Sequence, residues 1–193
     1  GNIVLNVQDG ALGVDLVIDS LEGCLNDYPL SGGGAVSYSN AGLSLNALRL
    51  RSGPNTLQLE GEWADTLALR AVLEAPQLSA LSPLLDGSIS AAAQIAGTAA
   101  APQLTLTATG AALRLGETRI ARLQGEGRYE NGVNTVELNA SDLQSGSLAA
   151  SSVVLRGEGV ADSHRLSLVL DSSQLQADLA FSGAFAGLAS GET

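Results

Sequence analysis

Few residues in this chain are of the types that catalysis uses, and none stands at a spacing that would make it work. The one histidine, His164, lies in Ala161-Asp162-Ser163-His164-Arg165, directly before an alternating run, where a turn belongs. The one cysteine, Cys24, has no second cysteine to pair with, and one Cys plus one His cannot supply the four ligands of a structural zinc site. No Gly-x-Ser-x-Gly elbow is present. Gly32-Gly33-Gly34 precedes no helix that could cradle a phosphate, so it reads as a flexible turn or a strand bulge. Asp15, Asp19, Glu60, Glu62, Glu126 and Glu158 fall on polar positions beside Arg and Gln, where solvation and cross-strand pairing account for them. A paired-carboxylate hydrolase would need one pair set apart from the rest, and nothing selects it. The expectation is a protein that is not an enzyme and holds no metal and no cofactor.

Composition narrows the classes further. All 9 basic residues are arginine against 20 acidic ones, for a formal net charge of −11, which is the wrong sign for nucleic acid. With lysine absent, a phosphate-loop lysine and a lysine-rich membrane patch are excluded. Only 15% of residues are charged while 45% are hydrophobic, and aromatics make up 3%. A core would have to be built from Leu, Ala, Val and Ile. No apolar run has the length of a membrane-spanning helix, and the first residues show neither the basic start nor the apolar stretch of a signal peptide. Composition is uniform from end to end, so residues 1–193 read as a single elongated body, an interior segment of a longer repeat-built chain.

The elements that would position any site are strands, because the dominant signal is alternation with a period of two. Leu57, Leu59, Gly61 and Trp63 oppose Gln58, Glu60 and Glu62, with Trp63 a core or rim anchor. Val14, Leu16 and Ile18 oppose Asp15, Val17 and Asp19; Leu104, Leu106 and Ala108 oppose Thr105, Thr107 and Thr109. Later, Leu166, Leu168 and Leu170 oppose Arg165, Ser167 and Asp171, with Val169 out of phase, and Leu175, Ala177, Leu179 and Phe181 repeat the beat. Ser52-Gly53-Pro54-Asn55, Gly116-Glu117, Asn131-Gly132 and Gln144-Ser145-Gly146 punctuate the runs as turns. The pattern predicts an all-β chain of about fourteen antiparallel strands, about 65 Å long at roughly 4.8 Å per strand. One stretch departs from it. Leu78, Leu81, Leu84 and Leu85 are spaced as a helical stripe between Pro76 and Gly87, predicting one short helix near 76–86, shortened or kinked by Pro83. It serves as an end-cap, or as a plug formed by Leu78, Leu81 and Leu85. A Leu-x-Gly-Glu motif recurs at Leu59-Glu60-Gly61-Glu62, Leu123-Gln124-Gly125-Glu126 and Leu155-Arg156-Gly157-Glu158, the last two 32 residues apart, a spacing suited to a modular, elongated body.

The apolar parity is short of the aromatics that fill an ordinary two-sheet sandwich. It carries Leu57, Leu59, Leu67 and Leu69, then Ile89, Ile95, Leu104, Leu106, Leu113 and Leu115. It continues with Leu123, Val136, Leu138, Val153, Leu155, Leu166, Leu168, Leu170, Leu179 and Phe181. A long antiparallel sheet curled into a trough would present these residues as a hydrocarbon-like groove, and acyl chains suit such a lining because they need no hydrogen bonds. Three other readings stay open: a chaperone-like trough for unfolded outer-membrane β-strands, a structural β-solenoid of the adhesin kind with a packed core, and an outer-membrane barrel, against which the scarcity of aromatics speaks.

The stretch Asn55-Thr56-Leu57-Gln58-Leu59-Glu60-Gly61, the segment from Ala75 to Gly87, and Ala96-Gly97-Thr98-Ala99-Ala100-Ala101-Pro102-Gln103-Leu104 together resemble the repeat text of the TamB family of translocation and assembly module subunits, one of the AsmA-like families. Residues 123–185 continue in the same style. The resemblance implies a U-shaped sheet, the β-taco of bridge-like lipid transport proteins, carrying phospholipids between the inner and outer membranes in the periplasm of a Gram-negative envelope. It also implies a link to outer-membrane biogenesis and protein secretion, through autotransporter assembly with an outer-membrane TamA-like partner. The membrane anchor and partner contacts would lie outside this chain.

Overall fold

The computed structural model describes residues 2–8, 11–160, 163–173 and 176–183, with side chains from residue 13 onward. Leu175, Phe185 and the Ala161-Asp162 dipeptide before His164 lie outside the described residues. Thirteen strands follow one another in a single sheet whose spatial order is the chain order. They are β1 (Asn2–Gln8), β2 (Ala11–Leu25), β3 (Tyr28–Ser39), β4 (Gly42–Ser52), β5 (Asn55–Trp63), β6 (Thr66–Ala75) and β7 (Leu85–Thr98). The second half is β8 (Ala101–Leu115), β9 (Thr118–Glu130), β10 (Val133–Ser145), β11 (Leu148–Val160), β12 (Ser163–Asp171) and β13 (Gln176–Gly183). Every neighbouring pair is antiparallel. One strand fewer than the alternation suggests is present among the described residues, of which β1 and β13 are the first and last in the sheet.

Tight turns make this meander. Asn131 and Gly132 both have positive φ, 52° and 79°, as a two-residue hairpin turn of the type that matches strand twist requires. The glycine triplet is a bulge inside β3. Register shifts between Gly33 and Ala35, and a Cβ on Gly34 would sit 2.6 Å from the Leu48 Cα, so only glycine lets β4 approach there.

The sheet curls because its strands bend along a common line near one end. In the first half the bends coincide with register shifts at Ile18/Leu21, Gly33/Ala35 and Leu45/Leu48. Farther along, register shifts between Asp86 and Ser88, and Ala112 and Asp142 take positive φ of 50° and 52°. Around this line the sheltered side chains advance by three residues instead of two: Gly110 to Leu113, Ile120 to Leu123, Ala140 to Leu143, and Ala150 to Val153. Two consecutive residues then face outward at each step, so the strand arcs over its apolar face. Ala140 and Ala150, beside the step, are buried, as the crowded inside of a bend requires small side chains.

The stretch predicted as a short helix is one 3-10 turn, Leu78–Ala80. Leu84 is exposed, and Leu85 already belongs to β7, paired with Leu115. Pro83 has no backbone donor and disfavours helical backbone at the residue before it, so the helix ends before a second turn forms.

Candidate functional site

Register carries the apolar face across the sheet. Ile89, Gly110, Leu123, Ala140, Val153 and Leu170 form one row. Leu106, Gly127, Val136, Gly157, Leu166 and Phe181 form a second, and Ala108, Gly125, Leu138, Leu155, Leu168 and Leu179 a third. In the first half, Leu57 and Leu59 pair with Leu73 and Ala71, while Leu67 and Leu69 lead through Gly97 and Ile95 to Pro102 and Leu104. Leu113 and Leu115 rejoin this face through the three-residue step. The structure therefore places the candidate lining on one side of one sheet. Gly125 and Gly157 of the recurrent motif lie within it, and a Cβ on Gly157 would stand 2.7 Å from Val136 Cγ1, space the valine now occupies.

This face is open. Among the described residues no large side chain is fully buried, and Leu106 remains 44% exposed. A two-sheet sandwich would have closed over such residues. The main exception is Leu67, at 5%.

One end of the first half is covered. Asn55, 3% exposed at the β4/β5 turn, donates from Nδ2 to the Gln77 carbonyl at 2.8 Å and accepts from the Gln77 N–H at 3.1 Å. Gln77 Nε2 donates to the Tyr28 hydroxyl at 2.8 Å, and Asn26 Nδ2 donates to the Leu81 carbonyl. Residues 76–84 thus run back across the ends of β2 to β5. Of the expected plug residues, Leu78 and Leu81 sit in this cover and Leu85 does not. The Asn55–Gln77 anchor was not legible in the sequence, because Asn55 also reads as an ordinary turn residue. The three-residue steps were legible as spacing and were missed under a strict two-residue reading.

The opposite face is polar. Thr105, Arg128, Thr135, Glu158 and Arg165 form one cross-strand ladder there, and Thr107, Glu126, Glu137, Arg156 and Ser167 the next. Together they border a shallow depression of about 490 Å³. Arg156 donates to Glu137 at 3.2 Å, and this hydrogen bond, with a second from Asn139, holds the Glu137 carboxyl below the usual glutamate range. Glu60 is 4.0 Å from Arg70, and Glu158 faces Arg165, the cross-strand pairing expected of exposed strand carboxylates. Val169, out of phase in the sequence, pairs with Val154 on this face.

Cys24 is free and exposed in β2, and His164 is the second residue of β12, opposite Gly159 and Gly183. Among the described residues no group of three or more His, Cys, Asp or Glu is placed to hold a metal ion, and no helix is long and apolar enough to cross a membrane.

No solved structure matches the chain. Its sequence matches the family described as TamB, N-terminal domain, over residues 3–189. An open, curled meander of this kind, matched over nearly its whole length, belongs to the TamB family.

Proposed function

We propose that this protein is a non-enzymatic segment of a lipid conduit in the periplasm, whose apolar face carries phospholipid acyl chains between the inner and outer membranes. The observation that carries this reading is the apolar sheet face, continuous from β2 to β13 and left without a covering layer. A continuous apolar surface that large is unusual on a protein that works alone in water, and it implies an occupant. Energetics suit passage rather than storage. Burying a sixteen-carbon chain is worth about 13 kcal/mol at roughly 0.8 kcal/mol per methylene, but a bilayer offers the same, so exchange is near neutral and chains are free to move on.

The test uses the two faces that register defines. A photo-crosslinking residue at Leu106, Leu138 or Leu168 is expected to capture phospholipid in cells, and one at Thr107, Asn139 or Ser167 is not. Equal capture at both sets overturns the groove reading. Native mass spectrometry of the purified chain should show bound phospholipid. His164→Ala and Cys24→Ser are expected to leave function intact; loss with the fold preserved would reopen the case for an enzyme.

A further inference from the structure

The aromatic residues of this protein are few and unevenly placed. Among the described residues, Tyr38, Trp63, Tyr129 and Phe181 all lie on the apolar face within two residues of the ends of odd-numbered strands, which share one rim of the sheet. Tyr28, the fifth, is at the opposite rim, where Gln77 binds its hydroxyl. Tyr38 is 58% exposed and Trp63 51%, although each is among the largest side chains on that face. Single exposed apolar residues mean little; a row of rings along one rim of one face is different. The same rim is where the apolar face turns polar, for Tyr129 pairs with Asn134, and His164 follows two strands on. Tyr and Trp favour such boundaries, since the ring is apolar and its O–H or N–H seeks water.

At this rim the β3/β4 and β5/β6 turns border a shallow, open depression of about 630 Å³, lined by Tyr38, Asn40, Leu43, Trp63 and Asp65 among others. Among the described residues, Asp65 is the only charged one that borders it, and no arginine does. Aromatic faces beside a lone carboxylate select cations, by ring quadrupole and by charge. A phospholipid with its chains on the apolar face must bring its headgroup out over a rim. The covered end of the first half is the wrong one, because residues 76–84 lie across it.

We propose that the shallow depression bordered by Tyr38, Trp63 and Asp65 is a headgroup subsite for phospholipids bearing an ammonium group, of the ethanolamine or choline type, an assignment that rests on the groove reading above. The ammonium sits against the rings and the Asp65 carboxylate, the glycerol region lies along the aromatic rim, and the chains pass onto Leu43 and the face beyond. Lipids that lack the ammonium, such as phosphatidylglycerol, leave Asp65 facing a net negative headgroup.

Trp63 is the chain's only tryptophan and reports on its own site. Phosphatidylcholine vesicles carrying a nitroxide on the headgroup are expected to quench Trp63 more than vesicles carrying it at the chain end. In a Trp63→Phe, Leu155→Trp variant, with the probe mid-groove, the order should reverse. Phosphatidylglycerol should bind about threefold to fivefold more weakly than phosphatidylethanolamine, the size of one exposed cation–π or ion-pair contact. Asp65→Asn should remove most of that difference and leave quenching at Leu155→Trp unchanged. If the mid-groove probe is quenched while Trp63 responds to no lipid, or equally to both headgroups, the subsite is wrong and the groove stands. If neither probe is quenched, the groove reading fails first. A response to soluble phosphoethanolamine as strong as to the lipid also overturns the assignment, as does a Trp63 response to unfolded β-strand peptide alone.

Discussion

The two halves of the sheet are built from the same alternation and held by different means. From β2 to β5, bulges shift the register in successive strand pairs, and the connection 76–84 is tied to the β2/β3 and β4/β5 turns through Asn26, Tyr28, Asn55 and Gln77. From β8 to β13 the register runs without a shift, and the connections at 116–117, 131–132 and 146–147 are two-residue turns. There, each described strand is held chiefly by its two neighbours. Large apolar residues are exposed in both halves, Tyr38 and Trp63 in the first and Leu104, Leu106, Val136, Leu179 and Phe181 in the second, while Leu67, paired with Trp63 at the rim away from the cover, is buried. A repeating ladder is thus sufficient to hold an apolar face open to water, and covering one end takes additional polar anchors.

The largest effect that would break this comparison is at Leu67. Leu67→Ala is expected to cost about 2 to 4 kcal/mol in urea unfolding, and Leu106→Ala less than about 1 kcal/mol, because only the first leaves a cavity. Equal costs would show that the open half is packed after all. Asn55→Ala should follow, at about 2 kcal/mol, since it leaves both backbone groups of Gln77 without their partner. Its signature is local: faster hydrogen exchange in β4 to β6 and residues 76–84, with β9 to β11 unchanged. Exchange rising throughout the sheet would mean that the cover stabilises both halves.

Leu106→Arg sharpens the comparison on the open side. The guanidinium can reach water across the uncovered face, so the melting temperature is expected to stay within a few degrees of wild type, while transport in cells fails. Outright unfolding would instead indicate a closed core. The smallest effect belongs to the polar face. Arg156→Gln should raise the titration midpoint of Glu137 towards the ordinary glutamate range, as followed by side-chain carboxyl NMR. Because the folded pKa is the lowered one, whatever stability the pair contributes is present above the ordinary glutamate range. It is lost as pH falls through the folded value, so wild type and variant should converge in acid. An unmoved midpoint would mean that the hydrogen bond from Arg156 is not what holds Glu137 down.

Much of this was legible in residues alone. A period of two assigns a face to each residue as soon as a strand is granted, so Leu138 and Asn139 could be set on opposite sides without a structure. The same rule fails at a bulge. From Leu104, Leu106, Ala108 and Gly110 a strict beat would turn Leu113 outward, and only the positive φ at Ala112 restores it. The leucine stripe at 78, 81, 84 and 85 looked helical because periodicity ignores what proline removes. The start of this connection is held instead by Asn55, whose partner Gln77 lies 22 positions away.

Side-chain alternation and local backbone preference are enough to specify the strands, their turns and the apolar character of one face. The tertiary arrangement adds that this face stays open and that one end is covered. It also brings four aromatic residues from four strands to one rim. Each of those is a relation between strands far apart in the chain, set by register, bulges and long-range hydrogen bonds. Alternation records which side a residue faces, but not what lies across from it.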